Sequence, residues 1–257
     1  LRESIASVYM GNARVVDRLV ACLLARGHVL VEDVPGVGKT VLANALARSI
    51  HADFARIQCT PDLLPTDITG AAVLNRQRDD FEFRKGPIFA NIVLADEVNR
   101  TTPRTQSAML EAMSEGQVSA EGAMHPLPDP FMVIATQNPY EFEGTYFLPE
   151  NQLDRFLMRI NLGYPAPDDE VRILDVQPAR TTLKALDPVL TREEVLALQA
   201  ATDAVRLDRS LADYIIALAT ATREDGDLRV GLSPRGSLAI AQAARATAVL
   251  AGRDHCI

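Results

Sequence analysis

"VLVEDVPGVGKTVLA", residues 29–43, is the stretch on which the choice of fold turns. Val29, Leu30, Val31 and Glu32 read as a short strand, a glycine loop follows, and a helical pattern starts at Lys39. In that order the loop's backbone N–H groups form a concave nest at the positive end of a helix, suited to phosphate oxygens. The signature G-x-x-x-x-G-K-[ST] wants glycine five places before Gly38, and that place holds Asp33. Aspartate is among the few residues besides glycine that tolerate positive φ. The expectation is therefore a left-handed Asp33 with its carboxylate turned away from the phosphates. On this reading the nucleotide-binding stretch is Asp33, Val34, Pro35, Gly36, Val37, Gly38, Lys39, Thr40 and Val41. Lys39 would neutralise the outer phosphates, and the Thr40 hydroxyl would ligate Mg²⁺.

The second decisive element is "NIVLADEVNR", which places Asp96 and Glu97 at the carboxyl end of an apolar strand. In an open parallel sheet, ligands sit at that edge, beside the phosphate loop. Asp96 is expected to hold Mg²⁺ through water and Glu97 to polarise the water that attacks the γ-phosphate. A third strand, "MVIATQNP", ends in Gln137 and Asn138 at the same edge. Asn-Pro is a turn signal, and an amide there is also placed to orient the attacking water; the two readings do not exclude each other. Arg155 precedes a further apolar segment, and Arg235 opens a helix late in the chain. Taken alone, each reads as a surface arginine. Phosphoryl transfer, however, needs cations on the developing γ-phosphate charge, supplied in cis or in trans.

Around these motifs, residues 12–28 carry apolar residues at three- and four-residue spacing, an amphipathic helix. "FARIQ" is a short strand. The segment from Cys59 to Pro87 is too long for a plain connection and is expected to carry an insertion. "TPRTQSAMLEAMSEG" is a helix starting at Thr102 and Pro103, and "QVSAEGAMHPLPDPF" a hairpin. Strands alternating with helices imply a parallel sheet covered on both faces. After "GYPAPDD" the patterns "DDEVRILDVQ", "TREEVLALQAATDAV", "SLADYIIALATATRE" and "PRGSLAIAQAARATAVLA" are all helical, so a boundary is expected there.

Composition sets limits on function. Hydrophobic residues make up 47% and charged residues 23%, as in an ordinary globular chain. A net charge of −8, aromatic content of 5% and no Trp disfavour a nucleic-acid wrapping surface. Cys22, Cys59 and Cys256 show neither C-x-x-C spacing nor an even pairing, so a reducing, cytoplasmic compartment is expected. No apolar run approaches the ~18 residues of a membrane span. His28 reads as a structural residue at a strand start, and His51, His125 and His255 are too scattered for a metal site. The chain lacks an initiator Met and stops within a helical pattern, so it is read as part of something longer.

The order "EDVPGVGKT", "LADEVNRTTPRTQSAMLEAMSEGQV", "VIATQNP", "FLPENQLDRF" and "LSPRGS" resembles the MoxR family of AAA+ ATPases, in the magnesium chelatase-like clade, over essentially the whole chain. The resemblance implies an α/β fold, an AAA+ P-loop NTPase αβα sandwich with a central parallel sheet in residues 1–163. A small all-helical lid would follow in residues 164–257. It further implies Lys39 and Thr40 in Walker A, Asp96 and Glu97 in Walker B, Asn138 as sensor 1, Arg155 as an arginine finger for a neighbour's ATP and Arg235 as sensor 2. The implied cofactors are ATP and Mg²⁺. The implied assembly is a homo-oligomeric ring, commonly a hexamer, working with a von Willebrand factor A domain partner on a client protein. An insertion within about residues 70 to 88 belongs to the same likeness.

Two rival classes stay beside this one. A helicase-type nucleic-acid motor needs clustered Lys and Arg, and the hairpin "QVSAEGAMHPLP" has neither; stimulation of ATPase by single-stranded DNA discriminates it. A regulatory scaffold that binds ATP without turnover has no use for a polarising carboxylate at Glu97, and a turnover assay discriminates that.

Overall fold

The computed structural model of the chain describes residues 1–75, 79–120, 122–139, 144–176 and 183–257. Arg76, Gln77 and Arg78 in the expected insertion, Glu121 in the expected hairpin and Gln177 at an expected helix end lie outside the described residues.

Short helix α1 (Arg2–Ala6) leads into α2 (Ala13–Leu24), where the Asn12 side chain caps the amino end by accepting from the Arg14 N–H at 2.9 Å. Then follow β1 (Val29–Glu32), α3 (Lys39–Ser49), β2 (Phe54–Gln58) and the single-turn helix α4 (Pro65–Thr69). β3 (Gly70–Asn75) and β4 (Asp80–Lys85) form an antiparallel hairpin, the expected insertion. β5 (Ile92–Asp96) runs to the acidic pair. α5 (Pro103–Glu115) starts at a Thr102 cap with Pro103 in its first position and ends at left-handed Gly116. β6 (Gln117–Ala120) and β7 (Ala123–Pro126) make the second hairpin, and β8 (Met132–Gln137), α6 (Glu150–Leu153) and β9 (Met158–Ile160) follow. The remaining long elements are helices α7 (Pro167–Val176), α8 (Arg192–Ala204), α9 (Arg209–Glu224) and α10 (Pro234–Leu250).

The five core strands are parallel, in the order β2-β5-β8-β1-β9. Side chains alternate faces along a strand, and here the alternation sorts residues into two cores. Val29, Val31, Ile92, Leu94, Met132 and Ile134 pack with α2 and α3. Leu30, Val93, Ala95, Val133 and Ala135 pack with α5. Every one of these is essentially inaccessible to water. Helices α8 and α10 lie against the outside of α2: α10 contacts α2 and α8, and Gln199 of α8 donates to the Leu23 carbonyl at 2.7 Å.

His28 ties the amino edge of the sheet together. The Val133 N–H donates to its Nδ1 at 3.0 Å, which leaves the proton on Nε2, and Nε2 donates to the Met113 carbonyl at 3.1 Å. Its own carbonyl accepts from the Leu157 N–H at 2.9 Å. The neutral imidazole thus joins the end of α5 to the start of β8, and the His28 carbonyl adds the approach to β9. Burial pushes its pKa down from 6.5 to about 4, partly offset by the Met113 hydrogen bond.

Between about pH 6.5 and pH 4 the unfolded chain binds a proton at residue 28 that the folded chain refuses, so stability rises with pH across that window. Wild-type protein should lose on the order of 3 kcal/mol through this group on acidification, relative to a His28→Gln variant compared at the same pH values. Urea unfolding at a series of pH values checks this; parallel pH profiles for the two proteins would contradict it.

Candidate functional site

The carboxyl ends of β1, β5 and β8 lie side by side, and the loops leaving them build the site. After β1 the chain turns through Gly36 at φ 88° and Gly38 at φ 92°, both left-handed, which is where glycine is required. Gly38 sits at the start of α3 with no side-chain cap, and the first turn carries no acidic residue. The amides that open α3 therefore face outward from a positive helix end without a built-in acceptor. The Tyr9 ring packs under this turn, 3.5 Å from where a Cβ on Gly38 would stand.

Asp33 departs from the expectation in one respect. The non-glycine residues with positive φ among the described residues are Arg26, His51, Asp79 and Glu97, so Asp33 is not left-handed. The strain that Asp was expected to relieve falls on Gly36 and Gly38 instead. Its carboxylate does point away from the loop. Asp33 Oδ2 accepts from the N–H groups of Leu162 and Gly163, each at 2.7 Å, and Oδ1 from the Val34 N–H at 2.9 Å. Asn161 Nδ2 donates to the Glu32 carbonyl at 2.9 Å, so the end of β1 is strapped to the segment after β9.

Lys39 Nζ donates to the Asp33 carbonyl at 2.7 Å. Partial burial lowers its pKa, and the nearby carboxylates of Asp96, Asp33 and Glu97 oppose that shift. Thr40 is half-buried beside it. Asp96 Oδ1 accepts from the Thr136 hydroxyl at 2.7 Å, and the same hydroxyl accepts from the Glu97 N–H at 2.9 Å. Glu97 is itself left-handed, at φ 59° and ψ 50°, a conformation that costs a residue with a Cβ about 1–2 kcal/mol. The Thr136 hydrogen bond helps hold it, and so does Gln106, whose Nε2 reaches the carbonyls of Val98, Thr101 and Tyr146. Strain of this kind concentrates at functional positions. Glu97 Oε2 accepts from Gln58 Nε2 at 3.1 Å and lies 3.6 Å from Arg100 Nε. Asp96 Oδ2 pairs with Arg56 at 2.6 Å. Asn138, half-buried, follows directly after β8 at the same edge.

No cluster of three or more His, Cys, Asp or Glu side chains that could hold a metal ion occurs among the described residues. The Thr40 hydroxyl and Asp96 carboxylate are hard oxygen donors of the kind Mg²⁺ takes when phosphates complete its shell, so the donor set fits that ion with a nucleotide and not without one.

The two arginines come together elsewhere. Arg155 precedes β9, and Leu157 bonds to His28 before β1, so Arg155 lies at the amino edge of the sheet. The length of β1, roughly 13 Å, separates that edge from the phosphate loop. Arg155 Nη1 donates to the Leu110 carbonyl at 2.6 Å and to Ser114 Oγ at 2.9 Å, while its Nε is buried without a partner. Ser233, which caps α10, donates to the neighbouring Asp154 carboxylate at 2.8 Å. That tether brings Arg235 into the same cavity as Arg155, about 280 Å³ in volume and lined also by His28, Met113 and Asp154. Sequence reasoning missed Thr136, Arg56 and Gln58. The signal was Arg56 and Gln58 two places apart in "FARIQ", on one face of the strand, and one Thr inside an apolar strand.

The sequence profile of the ATPase family associated with various cellular activities (AAA) matches residues 28–158, and that of the AAA lid domain matches residues 220–257. The chain is 51% identical to the uncharacterized protein YeaC of Bacillus subtilis over 99% of its length and 80% of that protein. It is 42% identical to chaperone MoxR1 of Mycobacterium tuberculosis, covering 97% of this chain and 68% of the relative. The crystal structure of a candidate ATPase from Cytophaga hutchinsonii superposes with a TM-score of 0.91 at 38% identity, covering 99% of this chain and 80% of that one.

Asp33→Gly would complete the phosphate-loop signature yet remove the acceptor for three amides, two of them the distant ones of Leu162 and Gly163. It should lower stability by about 2 kcal/mol and speed hydrogen exchange at Leu162 and Gly163. Unchanged exchange at those two amides in the variant would show that the strap is not formed in solution.

Proposed function

The chain belongs to the MoxR family of AAA+ ATPases, and from that premise we propose that it binds Mg-ATP at the carboxyl edge of its sheet and hydrolyses it to ADP and phosphate. The observation that carries this reading is the uncapped amino end of α3, with Lys39 on one side and two carboxylates at the end of β5 on the other. Residues 1–163 form the ATPase core in this proposal and residues 164–257 the lid. The amides of Gly36, Val37, Gly38 and Lys39 cradle the phosphates. Lys39 leaves the Asp33 carbonyl for the outer phosphate oxygens. Thr40 and Asp96 hold Mg²⁺, which when bound neutralises charge on those oxygens. Glu97 polarises the attacking water and Asn138 orients it.

Arg155 and Arg235 cannot serve the nucleotide of their own chain while they occupy the amino edge. Their shared cavity supports an arrangement in which both act on the ATP of a neighbour, as a ring requires, and a hexamer is the proposed closure. Turnover in that ring would drive a chaperone-like remodelling of a client protein, in company with a partner bearing a von Willebrand factor A domain. A chaperone is what the Mycobacterium relative is named, and that name supports this last step. No helix among the described residues is long and apolar enough to cross a membrane, and the proposed setting is the cytoplasm.

ATP hydrolysis, measured across a protein concentration series with sizing on the same samples, tests the reading. Lys39→Ala should abolish nucleotide binding, and Glu97→Gln should keep ATP bound while losing turnover. Arg155→Ala should leave affinity nearly intact and cut turnover by on the order of 10³. Mixing Arg155→Ala with Lys39→Ala subunits should restore part of the activity, since each then supplies what the other lacks. Absence of rescue, with both variants still assembling, would mean that Arg155 acts in cis or only packs.

A further inference from the structure

Arg56 holds a position that the phosphate-loop reading does not account for. β2 is the edge strand beside β5, with Gln58 opposite Asp96 in register. Arg56 and Gln58 share the strand face that carries Asp96, while Ile57 turns into the core on the α5 side. Arg56 Nη2 donates to Asp96 Oδ2 at 2.6 Å and to Gln58 Oε1 at 2.7 Å, and Gln58 passes its own Nε2 hydrogen to Glu97. With Thr136 on Oδ1, both oxygens of Asp96 are engaged. A metal-binding carboxylate therefore already has a counter-cation, supplied by its own chain.

We propose that Arg56 is a resident cation on Asp96 that has to be displaced before Mg²⁺ is held, and so sets the metal concentration at which nucleotide binds. This rests on the reading of Asp96 as the metal-side carboxylate. A guanidinium and a divalent ion on one carboxylate oxygen repel each other, so the two occupancies exclude one another. The side chains are unequal in freedom. Asp96 is 16% exposed and fixed by Thr136, whereas Arg56 is 47% exposed and can swing into water without unpacking the core. Arg56 is therefore the partner that leaves. A pair open to water on one side is held weakly, so Arg56 tunes metal affinity and does not forbid binding.

The test titrates Mg²⁺ against a fixed concentration of a fluorescent ADP analogue, using the full chain as wild type, Arg56→Met and Arg56→Lys. Anisotropy reports binding, with no turnover needed. Arg56→Met should lower the half-saturating Mg²⁺ concentration by about 5-fold, the equivalent of one exposed ion pair, and Arg56→Lys by less. Circular dichroism melting shows which variants are folded. If Arg56→Met is not, Arg56→Lys carries the test, with a shift of about 2-fold in the same direction. An equal or higher Mg²⁺ requirement in the folded variants overturns the proposal while leaving the site reading in place. A wild-type protein that binds no nucleotide at any Mg²⁺ concentration removes the site reading, and the proposal falls with it.

Discussion

Parallel strands cannot be joined by a tight turn, so each must be followed by a crossover that returns the chain to the same starting edge. All five core strands here obey that constraint, and it decides where the chemistry can sit. Every carboxyl end faces one edge, and the central order β5-β8-β1 sets three of them side by side. The loop after β1, the acidic pair after β5 and the amide after β8 converge without any of them being near the others in the chain. The opposite edge collects what precedes the strands: His28 before β1 and Arg155 before β9. Two edges of different composition, facing opposite ways, follow from the topology.

The carboxyl edge is crowded with negative charge. Asp33, Asp96 and Glu97 all act on Lys39, and a triphosphate entering that neighbourhood would meet three carboxylates. Each carboxylate has its own donors. Asp33 is turned onto two backbone amides, Asp96 onto Thr136 and Arg56, and Glu97 onto Gln58 with Arg100 nearby. Such pairing lets a low-dielectric site tolerate several like charges at once. It also means that a nucleotide binding as proposed would rearrange hydrogen bonds already made, starting with the one between Lys39 and the Asp33 carbonyl.

Much of this was legible in the sequence, and the parts that were not share a physical reason. The continuous apolar runs in "IVLAD" and "MVIATQ" were enough to infer strands buried on both faces, because a strand with two covered faces needs apolar residues at successive positions. Thr102, Pro103 and Gly116 marked the ends of α5 through local rules that act over a few residues. Asp33 was read correctly in direction and wrongly in backbone conformation. Its carboxylate is set by amides 129 and 130 residues away, which no local rule reaches. Arg56 drew no reading from the sequence beyond its place in a short strand, since its meaning depends on the neighbouring strand and on register. The meeting of Arg155 and Arg235 likewise depends on how α10 is tethered to Asp154.

Helix α5 connects the two edges. Its first turns receive the loop after Glu97 through Gln106, which holds the carbonyls of Val98, Thr101 and Tyr146. Near its last turn the Leu110 carbonyl holds Arg155 and the Met113 carbonyl holds His28. A 13-residue helix is about 20 Å long and, packed into a core by Met109, Leu110 and Met113, does not bend cheaply. A displacement of the turn after Glu97 therefore has two outcomes. Either Gln106 lets go and the strain stays local, or the helix moves as a unit and takes the Arg155 anchor with it. In a ring where Arg155 serves a neighbour, the second outcome would link adjacent nucleotides through one rigid element. The three carbonyls that Gln106 holds favour that outcome, because releasing a buried amide leaves its acceptors unpaired as well.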